Sequence, residues 1–395
     1  MSNLLHDDTP TPASIPIVTR GNAFWRNGER FFVKGITYNP QNSNRAGGDR
    51  RAPVDALSED HLPELEKDMA FVRDLGLNSI SLYYHDPSKN HSRAMKHLEA
   101  KGIYVTIPLF SNLKALLAKP KNASSFKPNS DTWPMYDLQL IKDAFHLVRE
   151  LSQYSNVLGF VVTGHIINRR HATKMAEVLR ACIRDTKAFL HFLQRNRHIP
   201  VGVSACDVRE FVIPQLRYFS AGAPSERADF FANKCYSWAG PSSFQISGWR
   251  NMVEAIAQTT RMPMLMAEYG TNIRIPRVWD EVLCLYSPDM TSVYTGGFVY
   301  TLLESGNSYG VVKVNEGGER VQGKDYANLK ESFLKVNARS AEEVASGDVK
   351  PYEHWEGEFP PCDTTWEATP DIPPFPGGWE EVVREVLAES ASPDV

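Results

Sequence analysis

An eight-stranded parallel α/β barrel is the architecture this sequence predicts, and three observations point to it. Short apolar, β-branched runs recur eight times between residues 31 and 303. Amphipathic segments of helical period separate them. The runs are near-continuously apolar rather than alternating, as strands covered on both faces require.

In chain order the strands are "FFVKGITYN" (31–39), "NSISLYY" (78–84), "IYVTIPLF" (103–110), "VLGFVVTG" (157–164), "IPVGVSA" (199–205), "DFFANKCYSW" (229–238), "MPMLMAEYG" (262–270) and "GGFVYTLL" (296–303). The clearest helices between them are 62–76, 92–102, 136–154 and 175–194; the second ends at Gly102, a good helix stop. A doubly wound open sheet fits less well, because no Gly-rich phosphate loop follows the first strand. The pattern gives a (β/α)₈ barrel over 17–337, preceded by a flexible arm (1–16). It is followed by an acidic, Pro- and Trp-rich tail (338–395) that is partly packed or disordered, with a short helix at "WEEVVREVLAES".

The formal charge of −4 hides an asymmetry, since the segment from Ala341 onward carries 14 acidic residues against 2 basic ones. Neither balance favours nucleic acid or an anionic membrane as a partner. "MSNLLHDDTPTPASIP" lacks the charge and apolar core of a signal peptide, and no apolar run is long enough to cross a membrane. The five cysteines are odd in number and lack CxxC spacing, which reads as reduced thiols in a cytoplasmic protein. On that reading the glycosylation sequon at Asn122–Ser124 is chance.

Barrel enzymes keep their chemistry at the C-terminal strand ends. Here those ends carry Tyr38 and Asn39, Tyr83 and Tyr84, His165, Asp207, Tyr236 and Trp238, Glu268 and Tyr269, and Tyr300 with Glu304. Any one aromatic is an ordinary rim residue. Glu268 is the sharpest signal, because an acid closing an apolar strand is costly to bury without a partner or a task. No metal-ligand cluster, phosphate loop or Ser-His-Asp arrangement is evident in the sequence, so neither cofactor nor metal is expected.

From Gly21 to about Asn337 the chain resembles the fungal β-1,3-glucanosyltransferases of glycoside hydrolase family 72. The resemblance is carried by "GNAFWRNGERFFVKGITYN", "LGLNSISLYYHDPSKNHSRAMKHLEAKGIYV", "YSWAGPSSFQISG", "AEYGTN" and "TGGFVYTLLESGNSYGVVKV". It implies a retaining, glycoside-hydrolase-like TIM barrel in which Glu268 matches the nucleophile. Tyr83, Tyr236 and Tyr300 match glucan-binding groove tyrosines, and Asn39 stands where the family usually has Gln. The family's acid/base is a Glu in an Asn-Glu pair after the fourth strand. This chain reads His165-Ile166 there, which puts Ile166 in the acid/base position. The cysteines that form the family's disulfides are also absent, with Ala94, Ser220, Ala239 and Thr271 at or near their places.

Retaining cleavage uses two carboxyls, one attacking and one protonating the leaving oxygen, and isoleucine carries no proton. His165 is one position away, and a neighbour on a strand is expected to point elsewhere. The expectation is therefore a repurposed, non-hydrolytic enzyme of fungal specialised metabolism. It would perform a cofactor-free cyclisation of Diels–Alder type, or an isomerisation, on a small, largely apolar metabolite. Its pocket would hold Glu268, His165 and Tyr236 as catalytic groups. Tyr38, Asn39, Tyr83, Ile166, Trp238, Tyr269 and Tyr300 would contact the substrate, and Ile167 would add to the apolar lining. One alternative is a β-1,3-glucanosyltransferase or glucan hydrolase that keeps Glu268 as nucleophile. Another is a catalytically inactive glucan-binding or scaffold protein.

Overall fold

A computed structural model of the chain describes residues 12–40, 54–111, 133–345 and 349–389. The sequon at 122–124 lies outside them. Eight parallel strands close a barrel: β4 (Val33–Thr37), β5 (Ser79–Ser81), β6 (Tyr104–Leu109), β7 (Val157–Gly164), β8 (Val201–Ala205), β9 (Phe231–Cys235), β10 (Met264–Tyr269) and β11 (Tyr294–Val299). They follow one another in sequence order, and β11 pairs back onto β4. All eight lie within the apolar runs read from the sequence, apart from the first two residues of β11.

Helices run back along the outside. Helix Leu138–Leu151 starts where its sequence says it should, with the Asp137 carboxylate accepting from Leu140 N at 2.9 Å. One buried face of it carries Leu140, Ile141, Ala144, Phe145 and Val148. Such faces join the outward side of the strands in one large core. A second core fills the lower barrel, where Phe230, Leu265 and Phe298 meet. Glycines make room for these rings: a Cβ on Gly35 would lie 2.3 Å from Phe298, and one on Gly202 would lie 2.5 Å from Phe230. Alanine at either position would displace a ring from a close-packed core.

Three features had no clear mark in the sequence. A three-stranded antiparallel sheet, β1 (Ile17–Arg20), β2 (Ala23–Arg26) and β3 (Glu29–Phe31), precedes the barrel. It closes the N-terminal end, with Phe24 edge-on to Phe230 at 5.5 Å. A hairpin of β12 (Val312–Val314) and β13 (Arg320–Gln322) follows the last barrel strand. The supposed flexible arm is packed from Ala13 on: Ala13 is fully buried, and Tyr104 Oη donates to the Ile15 carbonyl at 2.6 Å.

The tail is a strap over the described part of its length. Arg227 donates to the carbonyls of Tyr352 and Glu353, Trp366 is fully buried, and Glu177 accepts from Thr369 N at 2.8 Å. Helix Trp379–Ala388 then docks on helix Leu138–Leu151 through Trp379 against Phe145. The acidity expected to keep this segment in solvent faces outward, while its aromatics face the barrel. None of the five cysteines is in a disulfide, and no described helix is long and apolar enough to cross a membrane.

Candidate functional site

The C-terminal strand ends converge on a small cavity, with about 40 Å³ open to water, lined by Tyr83, His165 and Glu268 among others. His165 is the first residue past β7, in the turn that follows Gly164, and it lines the cavity together with Val161 of the strand. Strand parity alone does not explain Glu268, because its neighbour Ala267 lines the cavity too. A register shift between Met266 and Glu268 in the pairing with β9 turns both inward, the usual work of a bulge beside a site.

Glu268 is only 3% exposed. Its carboxylate accepts from Tyr83 Oη, from Tyr236 Oη at 2.6 Å, and from Lys234 Nζ at 2.6 Å. Lys234 is its direct partner in register on β9, so the two charges form a cross-strand pair. Burial, together with the Glu268 charge, pushes the phenols of Tyr83 and Tyr236 well above their ordinary range. Both keep their protons and act as donors. Tyr236 is set by Asp207, whose carboxylate accepts the Tyr236 N–H at 3.0 Å. Tyr300 and Tyr309 stand edge-on around Tyr236, at 6.3 and 5.9 Å between ring centres. Cys206 Sγ donates to the His165 carbonyl at 2.7 Å, fastening that residue's backbone to the next strand end.

The structure therefore gathers Glu268, His165, Tyr83, Tyr236 and Tyr300, and it corrects several other expectations. His165 faces the cavity instead of pointing away from it. Ile166 is nearly buried and Ile167 fully buried in the outer core, so neither lines the cavity and the apolar pocket expected from them is not formed by them. Tyr38 is turned outward from the barrel and donates to Asp68 at 2.8 Å. Tyr269 is fully buried in the same outer core. Trp238 is packed against Trp249, 4.9 Å away. Asn39 is half-buried at the end of β4's extension and is not part of the cavity lining. Glu304 braces its own loop, accepting from the backbone N–H groups of Gly306, Ser308 and Gly310 at 2.6–2.9 Å.

Lys234 and Tyr309 are the site residues that sequence reasoning missed. Lys234 was readable: a cation inside the apolar run "DFFANKCYSW" poses the same burial problem as an acid inside "MPMLMAEYG", and pairing solves both. A second buried charge cluster joins the loops after β4 and β5. His91 Nε2 lies 2.7 Å from Asp55 Oδ2 and His91 Nδ1 lies 2.8 Å from Glu150 Oε2, while His85 Nδ1 is 3.4 Å from Asp55 Oδ1.

The donor atoms of Asp55, His85 and His91 all lie within 4.8 Å of one another, as a metal site would need. Ligands on one zinc ion sit roughly 3.3 Å apart in tetrahedral geometry, whereas the His91–Asp55 separation is that of a hydrogen bond. Asp55 also accepts the N–H groups of Leu57 and Asp86 at 3.0 and 2.8 Å. A proton fits this place better than an ion. Burial pulls the His91 imidazole down, but its bonds to Asp55 and Glu150 outweigh that and raise its pKa to about 9. Burial keeps His85 on the neutral side. Burial likewise pushes the Asp55 carboxyl up, yet its bonds to His85 and His91 hold it far below the usual carboxylate range.

Comparison with known proteins agrees with the barrel fold. The family model described as "Glucanosyltransferase" matches residues 8–337. The 1,3-beta-glucanosyltransferase PGA4 of Candida albicans is 31% identical over 365 residues, covering 92% of this chain and 75% of that protein. The 1,3-beta-glucanosyltransferase gel1 of Aspergillus fumigatus is 33% identical over 328 residues, covering 83% and 67%. The chain spans 64% of the length of pH-responsive protein 1 of Candida albicans, at 32% identity. Among solved structures, Saccharomyces cerevisiae Gas2p in complex with laminaripentaose superposes with a TM-score of 0.75 at 29% identity, covering 92% of this chain and 78% of that one.

Proposed function

The chain belongs to the glucanosyltransferase family of glycoside hydrolases, and on that premise we propose that it acts on β-1,3-linked glucan at the barrel mouth. Glu268 is the nucleophile, and His165 is the group that exchanges a proton with the leaving and entering oxygens. The carrying observation is that Glu268 and His165 line one cavity, with two protonated tyrosines donating to the carboxylate. In the first step a Glu268 oxygen bonds to the anomeric carbon as the glycosidic C–O bond breaks, and the departing oxygen takes the His165 proton. In the second, an acceptor hydroxyl attacks the glycosyl ester, gives its proton to His165 and releases Glu268.

Histidine is a competent acid/base of this kind. The ion pair between Lys234 and Glu268 acts as a brake on the reaction. Lys234 stabilises the carboxylate's charge, which must vanish as the ester forms, and transfer is therefore slow relative to a two-carboxylate site. The expected metabolite cyclisation rested on the missing acid/base carboxyl and on Ile166 and Ile167 lining a pocket, and their burial removes the second support.

Incubating the protein with laminari-oligosaccharides and following chain lengths by mass spectrometry tests the reading. Elongated and shortened products are expected from wild type. His165→Ala should lose about 10²–10⁴-fold on these donors. It should lose little on a β-glucosyl-type laminaribiosyl fluoride, whose leaving group needs no proton. No transfer with either donor in the wild type would overturn the proposal.

A further inference from the structure

A second site lies at the opposite, N-terminal end of the barrel. An open groove of about 590 Å³ runs between the β2–β3 hairpin, the start of β4 and the ends of helices Leu62–Asp74 and Ser92–Ala100. Five basic side chains line it (Arg26, Arg30, Lys34, Arg73 and Lys101) and no carboxylate does. Protein surfaces ordinarily intersperse the two signs, and this chain does so elsewhere through many ion pairs. Yet Arg26, Lys34, Arg73 and Lys101 enter none of the ion pairs among the described residues.

Arg73 and Lys101 have an ordinary reason to be there, since each sits where a helix ends and complements its dipole. Arg26 and Lys34 have none: they come from strands and are half-buried, as is Arg30, which also donates to the Thr291 carbonyl at 3.0 Å. Aromatic rings hold the two guanidiniums in place, Arg26 over Phe31 at 5.6 Å and Arg30 over Phe32 at 5.0 Å. The Lys34 ammonium reaches the Asn337 side-chain oxygen, a neutral acceptor. Burial, and then the Arg26 charge, pull Lys34 below the usual lysine range, and burial does the same to Arg30. A bound anion would relieve both effects.

We propose that this groove is a binding site for a small polyanion of phosphate type, a ligand bearing two or more linked or clustered phosphates. Phosphate oxygens match both cation types present, accepting paired N–H groups from an arginine and a point charge from lysine. A single phosphate would leave part of the cationic set unpaired, because the side chains come from the hairpin, β4 and two helices. The cavity volume falls within the range that holds ligands of nucleotide size. The site is remote from Glu268 and independent of the reaction there.

The test is calorimetric titration of the full chain with inorganic tripolyphosphate, using sodium chloride at matched ionic strength as the reference. Saturable one-to-one binding is expected, together with a raised melting temperature. Arg26→Ala and Lys34→Met should each weaken it at least about tenfold, while Lys313→Ala on the exposed β12–β13 hairpin should not. Arg73→Ala, at an exposed helix end that tolerates substitution, guards against a folding defect and should weaken binding less. Heat uptake that matches the chloride reference, or affinity unchanged in Arg26→Ala and Arg73→Ala, would refute the site.

Discussion

This barrel carries two buried charge clusters, one around His91 and one around Glu268, and they are built to opposite ends. Around His91 the charges are matched: both of its ring nitrogens meet carboxylates, and Asp55 takes two backbone N–H groups besides. Around Glu268 the matching is one-sided. Two phenols and one ammonium donate to the carboxylate, which also borders an open cavity. A closed cluster stabilises the chain that contains it. An open one keeps a nucleophile oriented and reachable, and its contribution to folding is small.

The difference is broken most sharply by removing the carboxylate itself. Glu268→Gln keeps the shape and two of the donors, so glucan transfer should fall by more than about 10³-fold. Stability in urea should change by no more than about 1 kcal/mol, because Lys234 is partly exposed and can be hydrated. A loss of several kcal/mol instead would show that the mouth cluster is structural after all.

The same operation on the closed cluster should give the converse. His91→Leu preserves volume but strands the Asp55 and Glu150 carboxylates, one of them almost fully buried. Breaking a buried pair in this way destabilises by about 3–5 kcal/mol, measurable as a lowered urea midpoint. Activity per folded molecule should be largely retained.

A gentler probe is pH. The folded pKa of His91, about 9, lies above histidine's ordinary ~6.5. The cluster's contribution is therefore complete below about pH 6.5 and is lost as pH rises through 9. Asp55 is depressed, so its part is present above about pH 4 and fails only in strong acid. The unfolding free energy should fall by up to about 3 kcal/mol between pH 6 and pH 9.5. In His91→Leu that slope should flatten, and an equally steep slope in the variant would place the titration elsewhere.

What could be read from the sequence follows the same division between side-chain chemistry and side-chain direction. All eight barrel strands were legible because parallel strands buried on both faces are continuous apolar runs. The strands β1–β3 were not, since three- and four-residue strands with mixed burial carry no period. Glu268 stood out as a lone acid in an apolar run. Tyr38 and Tyr269 were placed in the site because they end strands, and Ile166 because it matches the family's acid/base position, but neither ground says which face a residue takes. His165 and Ile166 show the point in adjacent positions of the turn after β7: one lines the cavity and the other joins the core. The bulge that turns Glu268 inward leaves no mark in "MLMAEY", since it is a property of the pairing with β9.

The smallest expected effect is also the one that separates the two clusters most finely. Lys234→Gln keeps a donor near Glu268 but removes the positive charge that opposes ester formation. If the mouth is tuned for chemistry, the glycosylation step should speed up by about tenfold in single-turnover assays with the fluoride donor, the worth of about 1–2 kcal/mol of partly exposed charge pairing. Stability should fall by a similar amount, because the carboxylate loses its counter-charge in a site that is 3% exposed. The two changes have opposite signs for the cell's purposes but one cause, the Coulomb attraction at 2.6 Å. A variant that lost stability with no gain in rate would mean that the attraction orients Glu268 for attack, and that Lys234 assists the nucleophile instead of restraining it.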